Sequence, residues 1–151
     1  MTLALDVDTI KHSLGRWGDD PVASGVRARW LYLALAEEHL GSGFDVVLGQ
    51  YLARTPFIED LEALADRLQV SFFELVLDID VATLAARLAI RASDPDRPEH
   101  VVNNRLVGPE DAGRLVGSME VLRLNRPRAI WVDARGSHSS TKDLLRTALA
   151  E

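Results

Sequence analysis

Apolar and polar positions follow two rhythms along this chain: short unbroken apolar runs, and longer stretches with a helical repeat. "LALDVD" at the start is an apolar run ending in acids and predicts a buried strand. A helical turn follows over Thr9–Leu14 with Thr9 as N-cap, and "GRWGDDP" reads as a loop. From Val22 to Leu40 the repeat is helical: Val26, Trp30, Leu33 and Leu40 share a stripe, and Gly41 and Gly43 stop it. "FDVVLG" predicts a second strand. Thr55-Pro56 opens the next helix, which runs to about Leu68 with Ile58, Leu61, Leu64, Ala65 and Leu68 inward. "SFFELVLDI" predicts a third strand, and Asp80 caps a helix from Val81 to about Arg91. After the polar stretch "ASDPDRPEHVVNNR", Pro109-Glu110-Asp111 begins a helix to about Leu122, its acids in the first turn where the helix dipole favours them. "RAIWVDA" predicts the fourth strand, and Ser140 or Thr141 opens a last helix ending near Ala150. Trp30, Phe72, Phe73 and Trp131 read as core residues.

Four apolar strands separated by helices predict an α/β fold, a parallel sheet covered on both faces in three αβα layers with right-handed crossovers. The 151 residues carry no internal repeat or linker and suit one domain, which at this size hides roughly 70% of its unfolded surface. In such sheets ligands bind beyond the carboxyl ends of the strands. Asp6 and Asp8 fall there on the first strand, Gly49 and Gln50 on the second, and Asp133 on the last.

Charge narrows the partners. The net charge of −6 argues against broad nucleic-acid binding. It is uneven: residues 1–86 hold 14 acids and 6 bases, while residues 87–128 hold 8 arginines and 6 acids, a region suited to a local anionic ligand. No cysteine is present, which excludes disulfides and thiolate metal sites and suits a reducing cytoplasm. No apolar stretch reaches the ~18 residues of a membrane span, and no signal-peptide pattern opens the chain, so a cytoplasmic protein without a membrane partner is expected.

Two pairs carry the candidate chemistry. Residues two apart on a strand share a face, so Asp6 and Asp8 at a strand end approach one cation or one substrate hydroxyl; magnesium accepts one or two carboxylates with water and phosphate oxygens. Arg87 and Arg91, four apart on one helix, share a face and lead into a lid-like loop at about 92–108, where paired arginines clamp phosphate oxygens. The histidines, His12, His39, His100 and His138, lack metal-ligand spacing, and Ser137-His138 near Asp133 lacks a nucleophile elbow.

"ALDVDTIKHSLG", "HLGSGFDVVLGQYLAR", "FFELVLDIDVATLAARLAIR" and "AIWVDARG" resemble, in order, successive elements of the small-molecule kinases of the P-loop superfamily, the group of adenylylsulfate kinase and chloramphenicol phosphotransferase-like enzymes. The resemblance covers nearly the whole chain, and the order of the elements carries it more than any one motif. It implies an ATP- and Mg2+-dependent phosphotransferase acting on a small hydroxyl-bearing substrate. Asp8 would be the substrate-facing acid or general base and Asp6 the magnesium-side acid; Arg87 and Arg91 would be lid residues near the phosphates; Gln50, Tyr51 and Arg54 would lie near the acceptor.

The glycines form no GxxxxGK[ST], the loop whose amides and lysine hold nucleotide phosphates. The family's first strand, that loop and the first helix are therefore missing, and little or no phosphotransfer is expected of this chain. That first strand is central in the family, between "DVVLG" and "FFELVL" here. Its absence leaves apolar edges that direct pairing, a partner strand or a swapped dimer would cover. A unit of roughly 25–30 residues ahead of Met1 would supply it. Two alternatives stand beside a kinase: a non-catalytic kinase-like binding or oligomerisation domain, and a haloacid-dehalogenase-like phosphatase, whose DxDx[TV] pattern is not matched because Thr9 comes one residue early.

Overall fold

A computed structural model describes residues 1–93 and 107–150. The chain is mixed α/β and divides into two compact units, Met1–Phe72 and Phe73–Glu151. The lid-like loop lies almost wholly outside the described residues, as does His100.

The first unit runs β1 (Thr2–Ala4), α1 (Val7–Ser13), α2 (Pro21–Gly41), β2 (Asp45–Val47) and α3 (Pro56–Leu68). β1 pairs parallel with β2, Leu3 opposite Val46, as the apolar runs predict. The first strand is shorter than expected. Asp6 leaves it to cap α1, accepting the Thr9 backbone N–H at 2.6 Å. The N-cap is thus Asp6 and not Thr9: a carboxylate three residues ahead satisfies an amide the helix start would otherwise orphan. Asp6 and Asp8 accordingly do not share a strand face.

Asp20 caps α2 by accepting from the Val22 and Ala23 amides, with Pro21 at its first position. The helix ends in a Schellman motif: Phe44 N–H donates to the His39 carbonyl and Gly43 N–H to Leu40, with Gly43 at φ 81°. The His39 and Phe44 rings meet across this turn at 5.2 Å, aiming the chain into β2.

The fully buried residues of α2 are Ala28, Tyr32 and Ala36, four residues apart; of the expected stripe, Leu33 and Leu40 pack against this core, while Val26 is exposed and Trp30 is 64% exposed. Apolar residues surround this helix almost evenly, so periodicity alone does not select a face; the two alanines let neighbouring elements approach closely. Tyr32 packs edge-to-face on Phe57 at 6.1 Å, in a core with Val7, Ile10 and Leu64. On α3, Phe57, Ile58, Leu64 and Ala65 are buried, close to the face its periodicity predicts.

The second unit runs β3 (Leu75–Asp78), α4 (Val81–Ser93), a 3-10 turn (Pro109–Asp111), α5 (Ala112–Asn125), β4 (Ile130–Asp133) and α6 (His138–Ala148). β3 pairs parallel with β4, Asp78 opposite Asp133. Asp80 caps α4, accepting from the Thr83 amide and hydroxyl, each at 2.8 Å. The last helix starts earlier than expected because Ser137 Oγ accepts the Ser140 amide. Leu88, Ala112 and Leu115 form a small core, while Phe73, expected inside, is 53% exposed. The Arg123 guanidinium stacks 3.6 Å from the Trp131 ring centre, keeping that indole half-buried.

Among the described residues the strands pair two by two. β2 and β3 form no ladder with each other, so the four-stranded sheet expected from the sequence is seen only as two parallel pairs.

Candidate functional site

In the first unit, parallel pairing sets the carboxyl ends of β1 and β2 side by side. From these ends the chain turns into α1 and into the 48–55 segment leading to α3. Gln50 ties the two together across more than forty residues of sequence. Its Oε1 accepts the Val7 backbone N–H at 3.2 Å, and its Nε2 reaches Asp8 Oδ2 at 3.5 Å, the long limit of a hydrogen bond. One side chain thereby satisfies the Val7 amide at the start of α1 and stands beside the Asp8 carboxylate.

Asp8 and Gln50 are half-buried on the wall of a cavity of about 330 Å3. Tyr51, Leu52 and Arg54 line it from the loop after β2, and Lys11 from α1 one turn past Asp8. Val22, Gly25, Val26 and Arg29 form the opposite wall, a single face of α2 by their helical spacing. The cavity therefore has Val22 and Val26 on its α2 wall and carries one carboxylate and three cations, Arg29 on α2 and Lys11 and Arg54 on the wall that holds Asp8. A carboxylate so placed accepts a hydrogen bond from an alcohol, or its proton; the guanidinium and ammonium groups donate to oxyanions.

Four of the residues that the sequence singles out, Asp8, Gln50, Tyr51 and Arg54, are brought together here. Asp6 does not line the cavity, since it caps α1. Lys11 and Arg29 were not among the expected site residues. The spacing of Lys11 three residues after Asp8, on one helix face, is a signal for the first; nothing local marks Arg29, which enters only through the placement of α2.

Arg87 and Arg91 belong to the second unit. Arg87 donates to the Gly136 carbonyl at 2.7 Å, joining α4 to the turn before α6, and Arg91 reaches the Val107 carbonyl at 3.4 Å. The acids at the strand ends of this unit are engaged locally. Asp80 caps α4, and Asp133 is gripped by Arg135 through contacts of 2.7 and 2.9 Å. The hydrogen bonds from Arg135 hold the Asp133 carboxyl far below the usual carboxylate range. Ser137 caps a helix, so Ser137, His138 and Asp133 form no catalytic relay.

The chain's fit to ATP and magnesium is poor. Asp6 spends an oxygen on its cap, Asp8 faces Gln50, and the sequence carries no GxxxxGK[ST] loop for the phosphates. Among the described residues no three His, Asp or Glu side chains converge as a metal cage, and no helix is long and apolar enough to cross a membrane. Compared with protein-family models, curated proteins and solved structures, the chain matches none.

Proposed function

We propose that this chain is a kinase-like α/β domain whose first unit binds a small hydroxyl-bearing molecule without transferring phosphate to it. The observation that carries the reading is convergence. Asp8, from α1, and Gln50, Tyr51 and Arg54, from a segment some forty residues later, line one cavity, and these are the residues that the family resemblance assigns to the acceptor. Asp8 accepts the substrate hydroxyl, Gln50 holds the carboxylate in position, and Arg54 and Tyr51 border the bound molecule. The strand pairing supports the same reading. A P-loop kinase sheet without its central strand keeps two outer pairs, and β1–β2 and β3–β4 correspond to them.

The test is a panel of small alcohols and sugars titrated into the wild-type chain and into Asp8→Asn, with ATP·Mg2+ phosphotransfer assayed alongside. A ligand of the wild type is expected to bind about tenfold more weakly to the variant, the loss of roughly one charge-assisted hydrogen bond. Phosphate transfer is expected to be absent. Transfer by this chain would overturn the binding-only reading, and equal affinity in Asp8→Asn would remove Asp8 from the site.

The two-stranded sheets favour a second role, assembly through strand edges with another copy of the chain. A monomeric mass by light scattering at high concentration rules that role out.

A further inference from the structure

The cavity of the first unit is charged opposite to the protein around it. Within residues 1–72, three of the six lysines and arginines line it, against one of the eleven acids. The whole chain carries −6. Arg16 and Arg67, away from the cavity, are paired with Asp19 and Glu37. Lys11, Arg29 and Arg54, like Arg27 outside the cavity, enter no ion pair among the described residues. Aromatic rings hold two of them instead: the Lys11 ammonium lies 5.2 Å from the Trp17 ring centre and the Arg29 guanidinium 5.9 Å from that of Phe57. Such contacts orient a cation and leave its N–H donors open. Three cations and one acid give the cavity lining a net positive charge, which attracts an anion.

We infer that the cavity takes a small molecule bearing an oxyanion as well as a hydroxyl, the oxyanion meeting Arg29, Arg54 and Lys11 and the hydroxyl meeting Asp8. This rests on the acceptor-site reading above and adds the ligand's charge to it. Phosphate, sulfate and carboxylate share the required chemistry, and the forked guanidinium donors match all three. The volume, near the lower end of the ~300–1,000 Å3 usual for small-molecule sites, suits a ligand of sugar-phosphate size.

The experiment titrates the full 151-residue chain with glucose, glucose 6-phosphate, gluconate and inorganic phosphate at constant ionic strength. The Arg29 and Arg54 Nε–H resonances report binding, and the same spectra report that each variant is folded. Inorganic phosphate is expected to shift both resonances, and glucose 6-phosphate to bind at least about tenfold more tightly than glucose. Arg29→Gln with Arg54→Gln abolishes that preference, while Arg54→Lys keeps most of it. The gluconate arm separates a carboxylate from a phosphate ligand. Resonances unmoved by every oxyanion, or equal affinity for glucose and glucose 6-phosphate, overturn the inference. Glucose 6-phosphate binding that survives Asp8→Asn but is lost in the arginine variants supports the oxyanion site and sinks the acceptor reading. Glucose binding lost in Asp8→Asn with no preference for phosphate does the reverse.

Discussion

Replacing Tyr32 by phenylalanine should stabilise the protein. Tyr32 is 1% exposed in the core of the first unit, and its hydroxyl has no hydrogen-bond partner among the described residues. Burying a hydroxyl without a partner costs about 1–3 kcal/mol, which Tyr32→Phe recovers. The void left by one oxygen, on the order of 10–15 Å3, costs only about 0.3 kcal/mol at ~24 cal/mol per Å3. The edge-to-face contact with Phe57 survives the substitution. The expected net gain is therefore about 1 kcal/mol, whereas Tyr32→Ala, which empties the site, should cost about 3–5 kcal/mol.

The same burial has a signature in alkali. Desolvation pushes the Tyr32 pKa up to about 12, above the ~10 of an unfolded tyrosine. The unfolded chain thus releases the proton first. The stability from this group is intact below pH 10, falls as pH rises from 10 toward 12, and loses on the order of 2–3 kcal/mol by the end of that window. Urea denaturation of the wild type and Tyr32→Phe at pH 8 and pH 11 isolates the effect, because every other titrating group is common to both. The variant should lead at pH 8 and lead by more at pH 11. A variant less stable than the wild type at pH 8 would mean the hydroxyl has a partner. An unchanged gap at pH 11 would mean the phenol is solvated.

Three further outcomes are expected. Gln50→Ala leaves the buried Val7 amide without its acceptor; a loss of about 1 kcal/mol in urea denaturation and faster hydrogen exchange at Val7 should follow. Arg126→Met strands the Glu74 carboxylate, whose partner stands at 2.8 Å in a pair with side chains 16% and 14% exposed. That variant should lose about 2–4 kcal/mol, and adding Glu74→Leu should restore most of it in the same assay. Asp133 should remain ionised in a carboxyl NMR titration from pH 6 to pH 3 and titrate normally in Arg135→Ala. Its contribution to stability, present above the unfolded carboxylate pKa, is lost only as pH falls through its depressed folded value.

Local rules made much of this protein legible before its structure. Apolar runs marked all four strands, glycine marked the end of α2, proline marked the start of α3, and Asp80 announced α4. These signals act within a few residues, through backbone hydrogen bonds and steric limits that a chain carries wherever it goes. Asp8 and Gln50, singled out by position at strand ends, and Tyr51 and Arg54, singled out by family resemblance, line one cavity.

Tertiary placement decided the rest. The role of Asp6 depends on whether the chain continues as a strand or starts a helix; here α1 starts, with Val7 and Ile10 in the core and Asp6 as its cap. The buried face of α2 was not written in its periodicity, because apolar residues ring that helix; the close approach allowed by Ala28 and Ala36 selected it. Arg29 joined the cavity only because that face, once chosen, turned Val22, Val26 and Arg29 toward the ends of β1 and β2. Strand pairing likewise depended on which strands lay beside each other, so two parallel pairs formed where strand count alone suggested four in one sheet. A sequence specifies contacts near in the chain directly. Contacts far apart depend on competing ways to bury the same apolar surface, and packing resolves that competition.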